Sequence, residues 1–206
     1  MNQNLYAFRH IPIIGFHGCD KQVAEAVVTG KVMLNPSAND YDWLGPGVYF
    51  WENNLERAWQ WAKEAANRKG SNVRVPAVLG AIIELGYCLD LLDSQCIEDL
   101  KSAYSDLVKH LTLLGEPLPK NAYVGNSEDH VLRRLDCAVI QTAHKASREA
   151  NGRPYDSVRS MFLEGGRLYE QSGFAEKNHV QVCVCNPNCV KGYFLPRSID
   201  TDYPLP

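Results

Sequence analysis

The chain has 206 residues, 45% of them hydrophobic, and a formal net charge of −3 with a pI near 6.1. A chain of this length buries about 70% of its unfolded surface, so we expect a single domain spanning 1–206. The acidic balance argues against nonspecific binding to nucleic acid or anionic lipid. No run approaches the roughly 20 apolar residues of a membrane helix, and residues 1–14 lack the pattern of a secretory signal.

Cysteine usage indicates a reducing, cytoplasmic location. The seven cysteines are odd in number and scattered, which argues against a disulfide framework. Cys183, Cys185 and Cys189 form a cluster that invites a metal interpretation, but the two-residue spacer and paired half-site usual for zinc are missing. We therefore expect no metal, and we expect Cys183 and Cys185 to lie on one face of a strand as small buried hydrophobes.

The first quarter of the chain alternates strand and helix signals. An apolar run predicts a strand over 10–18, and Asp20 then caps a helix over 21–29 whose apolar residues recur at helical spacing. Turn-forming residues fill a loop over 35–40. The β-branched and aromatic run at 48–50 predicts the next strand.

Two helices and a buried strand are predicted next. A helix capped by Asn53 or Asn54 extends to Gly70. Its apolar stripe consists of Leu55, Ala58, Trp59, Ala62, Ala65 and Ala66. Residues 77–85 form a nearly continuous apolar run, which is typical of a strand covered on both faces. Ser94 opens a further helix with apolar residues at alternating three and four spacing.

The remaining elements define the fold class. A long helix is predicted from Asn126 or Ser127 to about Ala150, with Val131, Leu132, Leu135 and Val139 facing inward. A strand follows near 155–162. Two β-rich runs near the C-terminus are joined by Asn186-Pro187-Asn188, which indicates a hairpin-like turn. Strands at both ends and helices in the middle predict an α+β domain rather than an alternating parallel sheet.

Two motifs carry most of the functional information. His17-Gly18 ends the first predicted strand, and Gly45-Pro46-Gly47 leads into Val48-Tyr49-Phe50. Glycines around a proline form a tight turn, because glycine adopts dihedrals closed to other residues and proline restricts its own. A tyrosine on a rigid strand beside such a turn is suited to stacking on a planar ligand.

These motifs resemble the His-Tyr-Glu class of ADP-ribosyltransferases, the diphtheria-toxin and poly(ADP-ribose) polymerase-like superfamily. The resemblance implies a split pair of small antiparallel sheets that form a cleft for NAD, with a mostly helical insertion over 87–152. It implies that the backbone of Gly18 binds the nicotinamide amide, that His17 contacts the adenosine ribose and that Tyr49 stacks on nicotinamide. Core packing is the alternative for His17 and Tyr49.

A second stacking aromatic and a glutamate complete the pattern in that family. The second aromatic position falls on Gln60, so Trp59 or Trp61 would close the nicotinamide sandwich. The glutamate position falls on Gln181, which can bind a ribose hydroxyl but brings no charge. Glu164 and Glu176, in the loop before the last predicted pair of strands, are candidate substitute carboxylates, and a solvated loop charge is the alternative for each.

The implied function is a NAD-dependent mono-ADP-ribosyltransferase whose catalytic residues are His17, Tyr49 and Gln181. NAD is then a substrate, no metal is required, and a protein is favoured over nucleic acid as the macromolecular acceptor. Residues 164–178 occupy the place where such enzymes recognise their target. A non-catalytic nucleotide-binding or protein-interaction module of the same fold, and a NAD glycohydrolase, are the alternatives.

Overall fold

The computed structural model describes residues 11–125 and 129–204. The strands in these ranges are β1 (Ile13–Asp20), β2 (Val48–Glu52), β3 (Pro76–Ile83), β4 (Cys88–Asp90), β5 (Asn121–Ala122), β6 (Leu132–Arg133), β7 (Ser157–Phe162), β8 (His179–Val184) and β9 (Val190–Phe194). The helices are α1 (Lys21–Val28), α2 (Leu55–Ala66), α3 (Ser94–Leu114) and α4 (Arg134–Asn151). In these described ranges, no helix is long and apolar enough to span a membrane.

The predicted helix caps at the start of α1 and α2 are confirmed. The Asp20 carboxylate accepts a hydrogen bond from the amide of Gln22, and the Asn54 side chain accepts one from the amide of Arg57. Each bond satisfies an amide that the first turn of a helix leaves without a partner. Local sequence therefore determines where these two helices begin.

The strands form a seven-stranded sheet in the order β4-β7-β8-β2-β1-β3-β9, with β5 and β6 as a separate pair. All neighbours in the large sheet are antiparallel except β4 and β7, which are parallel. The α+β class is confirmed. The expected pair of small antiparallel sheets requires correction, because the strands form one continuous mixed sheet.

This sheet is nearly divided between β1 and β2. Those strands pair at two positions, Gly15 with Glu52 and Phe16 with Trp51, whereas β1 pairs with β3 along its whole length. The two halves pack on each other through one cluster of buried apolar residues. That cluster contains Phe50 and Val182 from one half and Leu79 and Ile83 from the other.

The predicted hairpin between β8 and β9 is wrong. β8 pairs with β2 and β7, whereas β9 pairs with β3 at the far edge of the sheet. The turn formers belong to a 3-10 turn, Pro187–Cys189, that carries the chain from one half of the sheet to the other. The amide of Glu84 anchors this crossing by donating to the Cys189 carbonyl at 2.9 Å.

The middle segment is part of the main fold rather than an addition to it. β4 lies inside residues 87–152 and is a strand of the large sheet. Leu89 from β4 packs with Leu107 of α3, Ile140 of α4 and Val158 of β7 in a second buried cluster. The segment is therefore mostly helical, as expected, but it is not an insertion, because its side chains form part of the core.

The long helix in this segment begins later than predicted. α4 starts at Arg134, and the proposed start at Asn126 or Ser127 lies outside the described residues. Leu132 lies in β6, and Val131 precedes it. The side chain of Asn121, on the neighbouring strand, accepts from the amides of Leu135 and Asp136 and so caps the helix. A cap supplied from a distant segment leaves no local signal.

Candidate functional site

A cavity of about 570 Å³ opens where β1 and β2 separate. Two residue pairs join these strands through the backbone. Where that pairing ends, the side chain of His17 on β1 contacts the backbone of β2, with Nδ1 lying 2.8 Å from the Tyr49 carbonyl oxygen. Residues of both motifs and of the late strand line this one cavity. They are His17, Gly18, Tyr49 and Gln181, and Trp61 of α2 and Glu164 of the loop after β7 line it as well.

The His17 ring has a defined tautomer. A carbonyl oxygen only accepts, so Nδ1 carries the proton that it donates to Tyr49. Burial, which outweighs that hydrogen bond, holds the pKa of His17 below its usual value. The ring is therefore neutral at pH 7, and its Nε2 atom is a hydrogen-bond acceptor at the cavity.

Gly18 is required by close packing. A Cβ atom at this position would lie 2.4 Å from the Ala58 carbonyl oxygen and 3.1 Å from the Trp61 ring. The absence of a side chain allows α2 to lie directly against β1, which brings the indole of Trp61 to the cavity. The glycine therefore has a structural role that does not depend on any ligand.

Tyr49 lines the cavity and also hydrogen-bonds to the backbone of the glycine-proline turn. Its hydroxyl accepts from the amide of Leu44 at 2.8 Å and donates to the carbonyl of Gly45 at 2.7 Å. Gly45 has a φ of 76°, a conformation that favours glycine. Burial raises the pKa of Tyr49, so the phenol stays protonated and the ring is locked on the β2 wall.

The choice between the two tryptophans of α2 is decided by helix geometry. Successive residues rotate by about 100° around a helix, so positions two apart face nearly opposite directions. Trp61 lines the cavity and packs against Trp51, with ring centroids 5.9 Å apart. Trp59 lies outside the cavity, against Lys63 on a separate groove. Of the two candidate indoles, Trp61 therefore lines the cavity and Trp59 does not.

Gln181 is buried at the centre of β8. It pairs with Trp51 of β2 and Ser160 of β7, is 8% exposed, and lines the cavity. Among the described residues, its amide has no hydrogen-bond partner. A ligand in the cavity can therefore bind this side chain without displacing a protein contact.

The two candidate carboxylates differ in position. Glu164 lines the cavity and binds Nη2 of Arg57 through both carboxylate oxygens, at 2.8 and 2.9 Å. Its Oε2 also lies 3.8 Å from Nδ1 of His179. Glu176 is exposed and lies beside Gly165 and Gly166, outside the cavity lining. Of the two candidate carboxylates, only Glu164 is among the described residues that line the cavity.

Arg57 is a site residue that sequence reasoning missed. Its side chain is 5% exposed and lines the cavity, and Nε and Nη1 have no partner among the described residues. The nearby buried Nε1 of Trp51 and Nε2 of His179 are likewise without partners there. Buried polar atoms are normally hydrogen-bonded. Its position was the available signal: Arg57 precedes Trp61 by four residues, which places both side chains on the same face of α2.

The cavity lining has an excess of negative charge. Its carboxylates are Asp42, Glu64, Asp129 and Glu164, and its cationic side chains are Arg57 and Arg68, so the formal sum is −4 + 2 = −2. Glu164 and Arg57 form an ion pair, so their charges offset each other. Glu64 is likewise paired, with Lys177 at 3.1 Å and Arg68 at 3.9 Å.

In the described parts of the chain, no group of three or more potential metal ligands is found. Cys183 and Cys185 both face the glycine-proline turn. The expectation of two buried strand residues holds for Cys183 alone, because β8 ends at Val184 and Cys185, just beyond it, is half-buried. Cys183 belongs to the buried cluster that contains Leu89 and Ile140, whereas Cys189 belongs to the cluster between the two halves of the sheet.

Comparison with curated proteins finds a relative of this chain. The chain is 28% identical to an uncharacterized protein of Methanocaldococcus jannaschii, over 90% of this chain and 89% of that protein. No family model matches the chain. The relative has a similar extent, and its description includes no activity, so the functional argument depends on the geometry of the cavity.

Proposed function

We propose that the protein is a NAD-dependent mono-ADP-ribosyltransferase that cleaves the nicotinamide glycosidic bond and transfers ADP-ribose to a macromolecular acceptor. The observation that supports this proposal is the convergence of His17, Gly18, Tyr49 and Gln181 on one cavity. Segments far apart in sequence contribute them, at the point where the sheet is nearly divided. An ADP-ribosyltransferase-like fold is part of the same proposal.

The side chains of the cavity suit the steps of this reaction. Neutral His17 offers Nε2 to a ribose hydroxyl, and the rings of Tyr49 and Trp61 offer planar surfaces to nicotinamide. Bond cleavage leaves positive charge on the ribose, which the acidic lining would stabilise. Glu164 is the candidate carboxylate for that role, and Gln181 would orient the ribose.

A non-catalytic NAD-binding module is the second candidate. Two observations favour it: Gln181 carries no charge, and Glu164 is engaged by Arg57 in a bidentate contact. A carboxylate held in this way is less free to stabilise a cation in the transition state. Binding without turnover would then be the activity of the cavity.

The decisive experiment measures nicotinamide release from NAD by the purified protein, together with transfer of labelled ADP-ribose to proteins of a lysate. Release with transfer supports the transferase. Release without transfer to any acceptor indicates a glycohydrolase. NAD binding by calorimetry without release indicates the non-catalytic module, and absence of both binding and release would contradict the proposal.

Two matched variants of α2 test the position of the site. Trp61→Ala removes the indole from the cavity and is expected to lower turnover or NAD affinity by at least about tenfold, the cost of a lost aromatic contact. Trp59→Ala removes an indole from the opposite helix face and should leave both unchanged. Equal effects of the two variants, with folding verified by circular dichroism, would place the ligand elsewhere.

Gln181→Glu tests the electrostatic argument. A carboxylate at this position would face the developing cation, and one preorganised electrostatic contact contributes a few kcal/mol to the barrier. We expect nicotinamide release to rise by at least about tenfold. Glu164→Gln should lower release if Glu164 supports the cation. A Gln181→Glu protein with reduced release would contradict this role for β8.

A further inference from the structure

A pair of thiols lies against the glycine-proline turn that carries Tyr49. Cys183 Sγ lies 3.5 Å from the carbonyl oxygen of Gly45, and Cys185 Sγ lies 3.6 Å from that of Pro46. A Cβ atom at Gly47 would lie 2.5 Å from Cys183 Sγ. The turn therefore packs directly on these two sulfur atoms, with no space for an added group between them.

Cys185 has a reactive environment that the other cysteines lack. Nε2 of His144, on α4, lies 3.8 Å from its Sγ atom, and both residues are half-buried. The remaining titratable groups that face this thiol are Cys183 from β8 and Asp156 from the segment before β7. The neighbouring Cys183 thiol and His144 lower the pKa of Cys185 despite burial and the Asp156 charge.

The other cysteines provide an internal comparison. Burial raises the pKa of each of them, and they are Cys19, Cys88, Cys96, Cys137, Cys183 and Cys189. Cys88 and Cys96 are half-buried like Cys185. Among the described residues, only Cys185 has an imidazole nitrogen within hydrogen-bonding distance of its sulfur.

We infer that Cys185, paired with His144, is a modification site for soft electrophiles and hydrogen peroxide. With peroxide, the thiolate sulfur attacks one oxygen, the O–O bond breaks, a sulfenic acid forms, and hydroxide leaves and takes up a proton from solvent. Sulfur loses two electrons and peroxide gains them. This chemistry is independent of NAD and extends beyond the proposed function.

Modification of Cys185 has a structural consequence for the cavity. An oxygen or alkyl group on Sγ cannot fit within the 3.6 Å that separates it from the Pro46 carbonyl. The turn must therefore move, and it carries both backbone groups that bind the Tyr49 hydroxyl. We expect the modified protein to hold this wall of the cavity less firmly.

Alkylation kinetics test the reactivity. The full-length protein is treated with iodoacetamide at pH 6, and each cysteine is followed by peptide mass spectrometry. An ordinary thiol is only about 0.3% ionised at this pH, and the gain in thiolate outweighs the lower nucleophilicity of a low-pKa sulfur. We expect Cys185 to react at least about tenfold faster than Cys88 or Cys96. A rate for Cys185 no greater than theirs would overturn the inference.

Substitutions test whether His144, rather than solvent exposure alone, makes Cys185 reactive. His144→Asn removes the imidazole while keeping a polar side chain, and it should slow alkylation of Cys185 several-fold. Cys96→Ser, on α3, should leave that rate unchanged. Unaltered reactivity in the His144→Asn protein, with its fold verified by circular dichroism, would show that His144 does not activate the thiol.

Hydrogen exchange tests the structural coupling. After treatment with a small excess of peroxide, amide exchange over residues 37–49 should accelerate, because the Leu44 amide depends on the Tyr49 hydroxyl. The Cys185→Ser protein should show no such change. If wild-type protein with verified sulfenic acid at Cys185 exchanges at its original rate, the thiol is reactive but does not act on the turn.

Discussion

Tyr49 shows how one side chain can serve both a turn and a cavity. Its position after a glycine-proline turn was predicted from sequence, as was a strand beneath it. Its hydroxyl contacts with Leu44 and Gly45 were not, because they depend on how the turn folds back over the strand. Replacing this residue by alanine therefore removes a structural contact together with the ring.

Tyr49→Phe separates the two roles. Loss of the hydroxyl leaves the buried amide of Leu44 without its partner, which costs about 1–3 kcal/mol. We expect this decrease in the free energy of unfolding in urea, while NAD affinity falls less than threefold because the ring remains. A Tyr49→Phe protein with unchanged stability would show that the hydroxyl contacts are unimportant for the turn.

The Arg57–Glu164 pair illustrates the limit of residue-by-residue interpretation. The two side chains are distant in sequence, and no sequence pattern singles out Arg57. In the fold it is almost fully buried and bound to Glu164. Residue type predicts exposure for most arginines, so only the packing of α2 shows that this one is an exception.

The stability of this pair can be measured by a double-mutant cycle. Glu164→Ala leaves a buried guanidinium without its counter-charge, and we expect a loss of about 3–5 kcal/mol. Adding Arg57→Met should restore part of that loss, because no unpaired charge is then buried. Additive losses in the double variant, measured by urea unfolding, would mean that the two side chains do not interact.

At the scale of elements, α2 has a cavity face and an outer face. The predicted apolar stripe included Leu55 and Trp59, which are 42% and 36% exposed. The buried residues of this helix are Arg57, Ala58, Ala62 and Ala65. The helix and its Asn54 cap could be predicted, but the orientation could not, because two tryptophans on opposite faces made the apolar stripe ambiguous.

Gly18→Ala tests the contact that sets this orientation. The added methyl would meet the Ala58 carbonyl, so α2 must move away from β1 at a cost of about 1–3 kcal/mol. Gly192→Ala is the matched control, since a Cβ atom there meets nothing within 4 Å. We expect urea unfolding to show a loss for Gly18→Ala alone. Similar losses for both variants would indicate a general intolerance of alanine in the sheet.

The whole molecule depends on the segment that sequence reasoning separated from it. Residues 87–152 match none of the family motifs, and their helices suggested an insertion. The fold places β4 in the sheet and packs α3 and α4 over Leu44, Val158 and Cys183. The two ends of the segment nevertheless lie close together. The amide of Tyr87, its first residue, donates at 2.9 Å to the carboxylate of Asp156, which lies four residues beyond its end.

Replacing 87–152 by a short glycine-serine linker tests whether the segment is dispensable. We expect the shortened chain to lose cooperative unfolding, because side chains such as Leu44 and Val158, both at most 1% exposed, would meet solvent. The measurement is urea unfolding combined with size-exclusion chromatography. A monodisperse chain that unfolds cooperatively would show that the segment is a true insertion on an independent domain.

The sequence by itself determined the types of the longer elements, two helix caps, the α+β class and the motifs at His17-Gly18 and Tyr49, because these depend on local periodicity and turn chemistry. Tertiary structure decided the topology of β8 and β9, the start of α4 and the choice between Trp59 and Trp61. It also brought Arg57 and Glu164 together. Each of these depends on contacts between distant segments, and such contacts leave no local pattern in the chain.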